Sequence, residues 1–355
     1  MLARHAADAL EQAWEPFVLV AGLLLIGDAA ARDGVFAAAG ARLERLRGGG
    51  IALLACSLAL VAVTTALMNL DTAAVFLTPV LLHAGHRRGL SEAPFLYGSI
   101  MVVNASSLFL PGSNLTNLLV LEREEVSGAT FAARMFPTAL AATIVTVVGV
   151  LLIHHRALRA TVTPAAEPAP AWRRGPALPA AALATVLMLT VEPAAPFVAA
   201  LGLAVAAAEV RARRASWREA LGSLDPAVLI GLLALAVVLG TVAREWAGPG
   251  RLVDDAGRFE TAGVAALAAV LVNNLPAAVL LSAHHLPHPR ALLTGLAIGP
   301  NLAVTGSLST YLWWKAATTA GARPTIRGYS VHGMVLAPTA IVIALTVAAA
   351  VSAHQ

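Results

Sequence analysis

The chain has 355 residues, 58% hydrophobic and only 12% charged, with a formal net charge of +4, whereas soluble domains carry roughly 25% charged residues. A mean hydropathy of +0.77 excludes an ordinary soluble protein. The pI near 10.0 would suit a nucleic-acid binder, but 23 Arg and one Lys are spread over loops between apolar runs as topology signals and not as a binding stripe.

In chain order, the opening MLARHAADALEQAWEP has no compact basic leader, so it is expected to stay in the mature protein. The single cysteine, Cys56, lies inside an apolar run and supports no disulfide framework or Cys-rich metal site. Residues 51–85 are expected to form a hairpin. Basic residues flank both ends, and a helix of that length reaches ~52 Å at ~1.5 Å per residue, too long for one crossing of a ~30 Å core. Charge counting also allows two full helices joined by an outer turn. In the middle, TTALMNLDTAAVFLTPVLL puts Asn69, Asp71 and Thr72 in an apolar run with no basic partner nearby in sequence. Asn104, Ser106 and Ser107 follow, then Gly112, Ser113, Asn114, Thr116 and Asn117, and an acid-rich turn at Glu122, Glu124 and Glu125. A Pro-, Ala- and Arg-rich linker from about Arg156 to Arg174 leads into two apolar segments, 177–191 and 194–209. Beyond Asp225 come Asn273 and Asn274 before Pro276, then Pro300 and Asn301 with Thr305, Gly306, Ser307 and Ser309.

The chain repeats itself. EPFVLVAGLLLIGD from Glu15 resembles DPAVLIGLLALAVVLG from Asp225, NLDTAAVFL from Asn69 resembles NLPAAVLL from Asn274, and PGSNLTNLLV from Pro111 resembles TGSLSTYLWW from Thr305. Three matches in one order imply two related halves in a single membrane domain. Repeat 1 covers 15–155, a linker plus two helices 156–224, and repeat 2 225–353. If the loops around Arg42, Arg87, Arg156, Arg211 and Lys315 face the cytoplasm, that side holds 17 of the 24 basic residues. Hairpin 51–85 then enters from inside, and its counterpart 261–286 from outside. The expected fold is an all-α polytopic protein of the cell membrane, with two inverted repeats, each holding a re-entrant hairpin and a broken transmembrane helix.

Each polar cluster mixes short amide or hydroxyl side chains with Gly or Pro, which unwind a helix and free backbone groups. In hydrocarbon such backbone survives only where it lines a cavity or packs in protein. One isolated cluster reads as hydrogen-bond glue between helices. Four at matched repeat positions read as a solute site.

The segments ALMNLDTAAVFLTPVLL, NASSLFLPGSNLTNLLV, LVNNLPAAVLL and GPNLAVTGSLSTYLWW resemble bacterial arsenite permeases of the ArsB type, in the ion transporter superfamily that also holds sodium/proton antiporters and dicarboxylate carriers. The resemblance implies secondary transport of arsenite or antimonite, proton-coupled, across the inner membrane, with no cofactor and no enzymatic step. It is compatible with a soluble ATPase partner and a homodimer. The chain itself carries no Gly-Lys-Ser/Thr phosphate loop. By this resemblance Asn69, Thr72, Ser113, Asn114, Thr116, Asn117, Asn273, Asn274, Asn301, Gly306 and Ser307 bind solute. Two departures stand out: Ala303-Val304 replaces the usual Thr-Pro before the last Gly-Ser, and the chain is short.

A charged Asp at the midplane costs at least ~2.5 to 3.5 kcal/mol, so a bundle keeps one that binds a cation or carries a proton. Asp71 is the expected coupling residue, for a proton beside a neutral polyhydroxy solute or for Na⁺ in an exchanger. The same carboxylate speaks against a dicarboxylate. The histidines His154, His155, His284, His285 and His288 lack a His-Glu-x-x-His pattern and are expected to be interfacial, not metal ligands.

Overall fold

Long apolar runs with few breakers become helices because, without water, every backbone N–H and C=O must be satisfied within its own segment. The computed structural model describes residues 2–124, 126–159, 173–222, 224–246, 248–283 and 286–353. It is 82% helix with no strand among them. Most of the expected linker, and Glu125, His284 and His285, lie outside the described residues. The helices are α1 (Leu2–Arg32), α2 (Val35–Glu44), α3 (Gly50–Leu67), α4 (Leu70–Arg87), α5 (Ala93–Ser106), α6 (Leu115–Glu124), α7 (Gly128–Ile153), α8 (Ala177–Thr190), α9 (Ala195–Arg211), α10 (Trp217–Gly222), α11 (Pro226–Glu245), α12 (Gly248–Asp254), α13 (Arg258–Val272), α14 (Asn274–Leu281), α15 (Pro289–Ile298), α16 (Leu308–Thr319) and α17 (Ile326–Ser352). Five helical stretches, α1, α3, α7 and α17 among them, are long and apolar enough to cross a bilayer. Large side chains stay bare on the periphery, such as Leu152 at 66% exposed and Leu271 at 71%. That is the surface a lipid-facing bundle presents, and the molecule is a polytopic membrane protein.

Asn69 ends the first hairpin turn by capping α4. Its extended backbone (φ −173°) leaves the side chain free to accept from the Thr72 N–H at 2.7 Å. Asn273 does the same job at the second hairpin by another route: it takes a left-handed φ of 78° and accepts from the Leu275 N–H at 3.3 Å. Asparagine tolerates that conformation better than most side chains. The two polar stretches that follow each hairpin are breaks. Between α5 and α6 lies a 3₁₀ turn at Pro111–Ser113, and between α15 and α16 one at Gly299–Leu302. In both, a proline removes a donor that a continuous helix would need.

Each hairpin is tied to the break of its own half and packs on the far arm of the other. Ser113 Oγ donates to Ala66 O at 3.0 Å, and Asn274 N–H donates to Gly306 O at 2.9 Å. Across the halves, α4 packs on α16, and α6 on α14. At the centre Asn104 Nδ2 donates to Asn301 Oδ1 at 2.7 Å, joining the two breaks directly. Helices α8 and α9 pack on α1, so this pair braces the N-terminal helix.

α17 passes the second break so closely that a Cβ on Gly333 would overlap the Asn301 carbonyl oxygen. Gly333→Ala is therefore expected to push the break out of place, at a cost of roughly 1–3 kcal/mol or more. The check is a lower unfolding midpoint of the purified protein together with lost transport.

Candidate functional site

The exchange of arms between halves places the first turns of four helices around one cavity of about 350 Å³. Leu70, Asp71 and Thr72 come from α4, Leu115 and Thr116 from α6 behind Asn114, Asn274 and Leu275 from α14 behind Asn273, and Leu308 and Ser309 from α16. A helix N-terminus carries about half a positive charge, so four of them offer roughly +2 to whatever sits between. Asp71 opposes that field. Its Oδ1 accepts from Ser309 Oγ at 2.6 Å, a bond between the halves across 238 residues. Asp28, Asp225 and Lys315 complete the polar lining, and Lys315 is its one cation among the described residues. Asp225 and Lys315 are exposed, so the cavity opens on the side of the α11 N-terminus and the lower part of α16.

Among the described residues, unpartnered buried polar atoms occur at several places in the bundle, and two of them, Thr72 Oγ1 and Thr116 Oγ1, belong to residues of this lining, with Asn69 Nδ2 just behind. A buried polar group left unpaired costs about 1–3 kcal/mol. A ligand in the cavity would give the two hydroxyls a partner. α1 comes close here as well: a Cβ on Gly27 would lie 2.6 Å from Thr72 Oγ1.

Of the residues that the sequence points to, Asp71, Thr72, Asn114, Thr116, Asn273 and Asn274 line the cavity. The rest are placed behind it. Asn69 caps α4, and Ser307 caps α16 by accepting from the Thr310 N–H at 3.2 Å. Ser113 bonds Ala66 O, and Asn117 donates to Ser107 O at 2.6 Å and Leu110 O at 3.2 Å. Asn301 is engaged with Asn104 and Met101 O, and a Cβ on Gly306 would sit 2.5 Å from Pro300 Cα. These groups hold the breaks in shape. Asp28, Asp225, Tyr311 and Lys315 join the lining without a sequence signal, since their polar character is ordinary for helix ends; Ser309 had one, as part of the last polar cluster.

The histidines form no metal cluster among the described residues. His154, just past the end of α7, meets His332 with its Nε2 at 2.8 Å, and the His332 ring stacks on Tyr97 with centroids 4.7 Å apart. Burial, then the facing His332, pulls the His154 imidazole down to about 4. It is a neutral packing element.

The sequence profile described as Citrate transporter (CitMHS) matches residues 6–348. The chain belongs to the citrate transporter family. Nothing among curated proteins matches it. Among solved structures, the YdaH transporter of Alcanivorax borkumensis is similar in fold, with a TM-score of 0.65 at 12% identity over 99% of this chain and 88% of that one. As a member of the citrate transporter family the chain is a secondary transporter of small solutes and a multi-pass membrane protein. The cavity between the two hairpin tips is the natural candidate for its solute site.

Proposed function

We propose that the chain moves a small oxyacid across the cell membrane, coupled to a proton on Asp71, through a midplane site shared by two inverted repeats. The observation that carries this reading is the convergence of four helix N-termini on the cavity that holds Asp71, whose lining also includes the unpartnered hydroxyls of Thr72 and Thr116. A carboxylate of the citrate class is the first solute reading. Its charge matches the N-terminal field, the cavity of about 350 Å³ has room for it, and the family is described by citrate transport. The four dipoles supply the positive potential that Asp71 alone would deny a dicarboxylate. Arsenious acid is the second reading. Asp71 and Asp225 against Lys315, with Asp28 already offset by Arg32 at 2.8 Å, leave no net positive side-chain charge in the lining and favour a neutral polyhydroxy solute, and amides and hydroxyls are the donors and acceptors it needs.

The deciding experiment uses proteoliposomes under an imposed pH gradient, with citrate, succinate, arsenite, antimonite and Na⁺ offered separately. Flux of a carboxylate or of arsenite supports the proposal, and Na⁺ flux alone overturns it. Lys315→Gln separates the two solutes. For an anion, loss of this exposed cation should raise KM by roughly two- to fivefold, the effect of a surface ion pair of ~0.5–1 kcal/mol. That rise should grow at low ionic strength. Arsenite transport should not change.

A further inference from the structure

A larger cavity, about 610 Å³, lies apart from the transport cavity, between α6, α7, α13, α15 and α17. Three arginines from three helices line it: Arg134 on α7, Arg258 at the first position of α13 and Arg290 in the first turn of α15. Arg290 donates to Ser352 Oγ at 2.9 Å. Arg134 and Arg258 make no ion pair or hydrogen bond among the described residues, while Glu124, the one acid in the lining, is already engaged. The rest of the wall is apolar, with Leu121, Phe131, Met135, Leu293, Leu345 and Ala348.

Neither water nor hydrocarbon suits such a space. Water solvates the two guanidinium groups, which are exposed, but it would wet the apolar wall, and lipid tails alone would leave the guanidinium groups without acceptors. An amphiphile with an anionic head satisfies both halves at once. A guanidinium pairs with phosphate oxygens through two parallel N–H donors, and the N-terminus of the ten-residue α15 adds a partial positive charge at the same end. Acyl chains then lie along the apolar wall formed by α7, α15 and α17. Basic pockets between membrane helices hold acidic headgroups for the same reason.

We propose that this cavity is a site for one phospholipid with a net negative headgroup, the phosphate held by Arg134 and Arg258. The test uses the full chain in neutral detergent, with thermal unfolding and native mass spectrometry as readouts. The additions are phosphatidylglycerol, phosphatidylcholine and inorganic phosphate. Phosphatidylglycerol is expected to raise the unfolding midpoint and to persist as a one-lipid adduct, while the other two do neither. Arg134→Gln with Arg258→Gln should weaken the adduct about tenfold or more, as expected for losing charge-assisted hydrogen bonds. Ala349→Phe keeps both arginines and fills the apolar side, so it should displace the adduct even if the double variant folds poorly. An equal effect from phosphatidylcholine or from phosphate overturns the proposal, the latter by showing a small-anion pocket. An adduct that survives both variants overturns it too.

Discussion

Asp71→Asn is expected to abolish pH-gradient-driven accumulation while downhill exchange of the same solute continues at a reduced rate. The substitution is nearly isosteric and keeps an Oδ1 that accepts from Ser309, so the bond between α4 and α16 survives. What disappears is the titration. A bare carboxylate buried in the bundle costs at least ~2.5 to 3.5 kcal/mol, the surrounding helix N-termini offset part of that, and a bound proton removes the remainder. If Asp71 alternates between the protonated and charged forms as the cavity faces each side, removing the proton removes the coupling and not the pathway. Paired assays on wild type and Asp71→Asn, with and without a pH gradient, read this directly. Unchanged accumulation in the variant places the proton route elsewhere. Loss of both modes, with Na⁺ moved by the wild type, makes Asp71 a cation ligand and the chain an exchanger.

Asn69→Ala and Asn274→Ala should both impair transport although 205 positions separate them in sequence. Asn274 lines the cavity in the first turn of α14. Asn69 lies one residue before the lining and offers a buried Nδ2 with no partner. Its side-chain oxygen also caps α4, so Asn69→Ala loses a cap worth about 1 kcal/mol and a solute bond of about 0.5–1.5 kcal/mol. A KM increase of roughly tenfold is expected for either variant, with a lower unfolding midpoint only for Asn69→Ala. The measurement is initial-rate uptake at matched protein density. A normal KM in one variant places that half outside the site.

The features that local chemistry controls were legible in the sequence. Apolar runs had to become helices, and hairpin 51–85 was legible from its basic flanks and its length, while the caps that Asn69 and Asn273 supply appear only in the structure. The positions of Pro111 and Pro300 marked breaks because a helix cannot continue without those donors. All four polar clusters are where the sequence put them, and six of the twelve site residues expected from it line the cavity. Which residues of each cluster face the cavity was decided only through space. Asn301 and Asn104 meet each other, and Ser113, Asn117 and Ser307 turn back to backbone groups, because a freed N–H or C=O takes the nearest partner. Ser309 reaches Asp71, and Asp28, Asp225 and Lys315 join the lining, because α4 of one half packs on α16 of the other. No local pattern encodes that pairing. It arises when two hairpins, each tied to the break that follows it in sequence, bury their remaining faces against the other half of the chain.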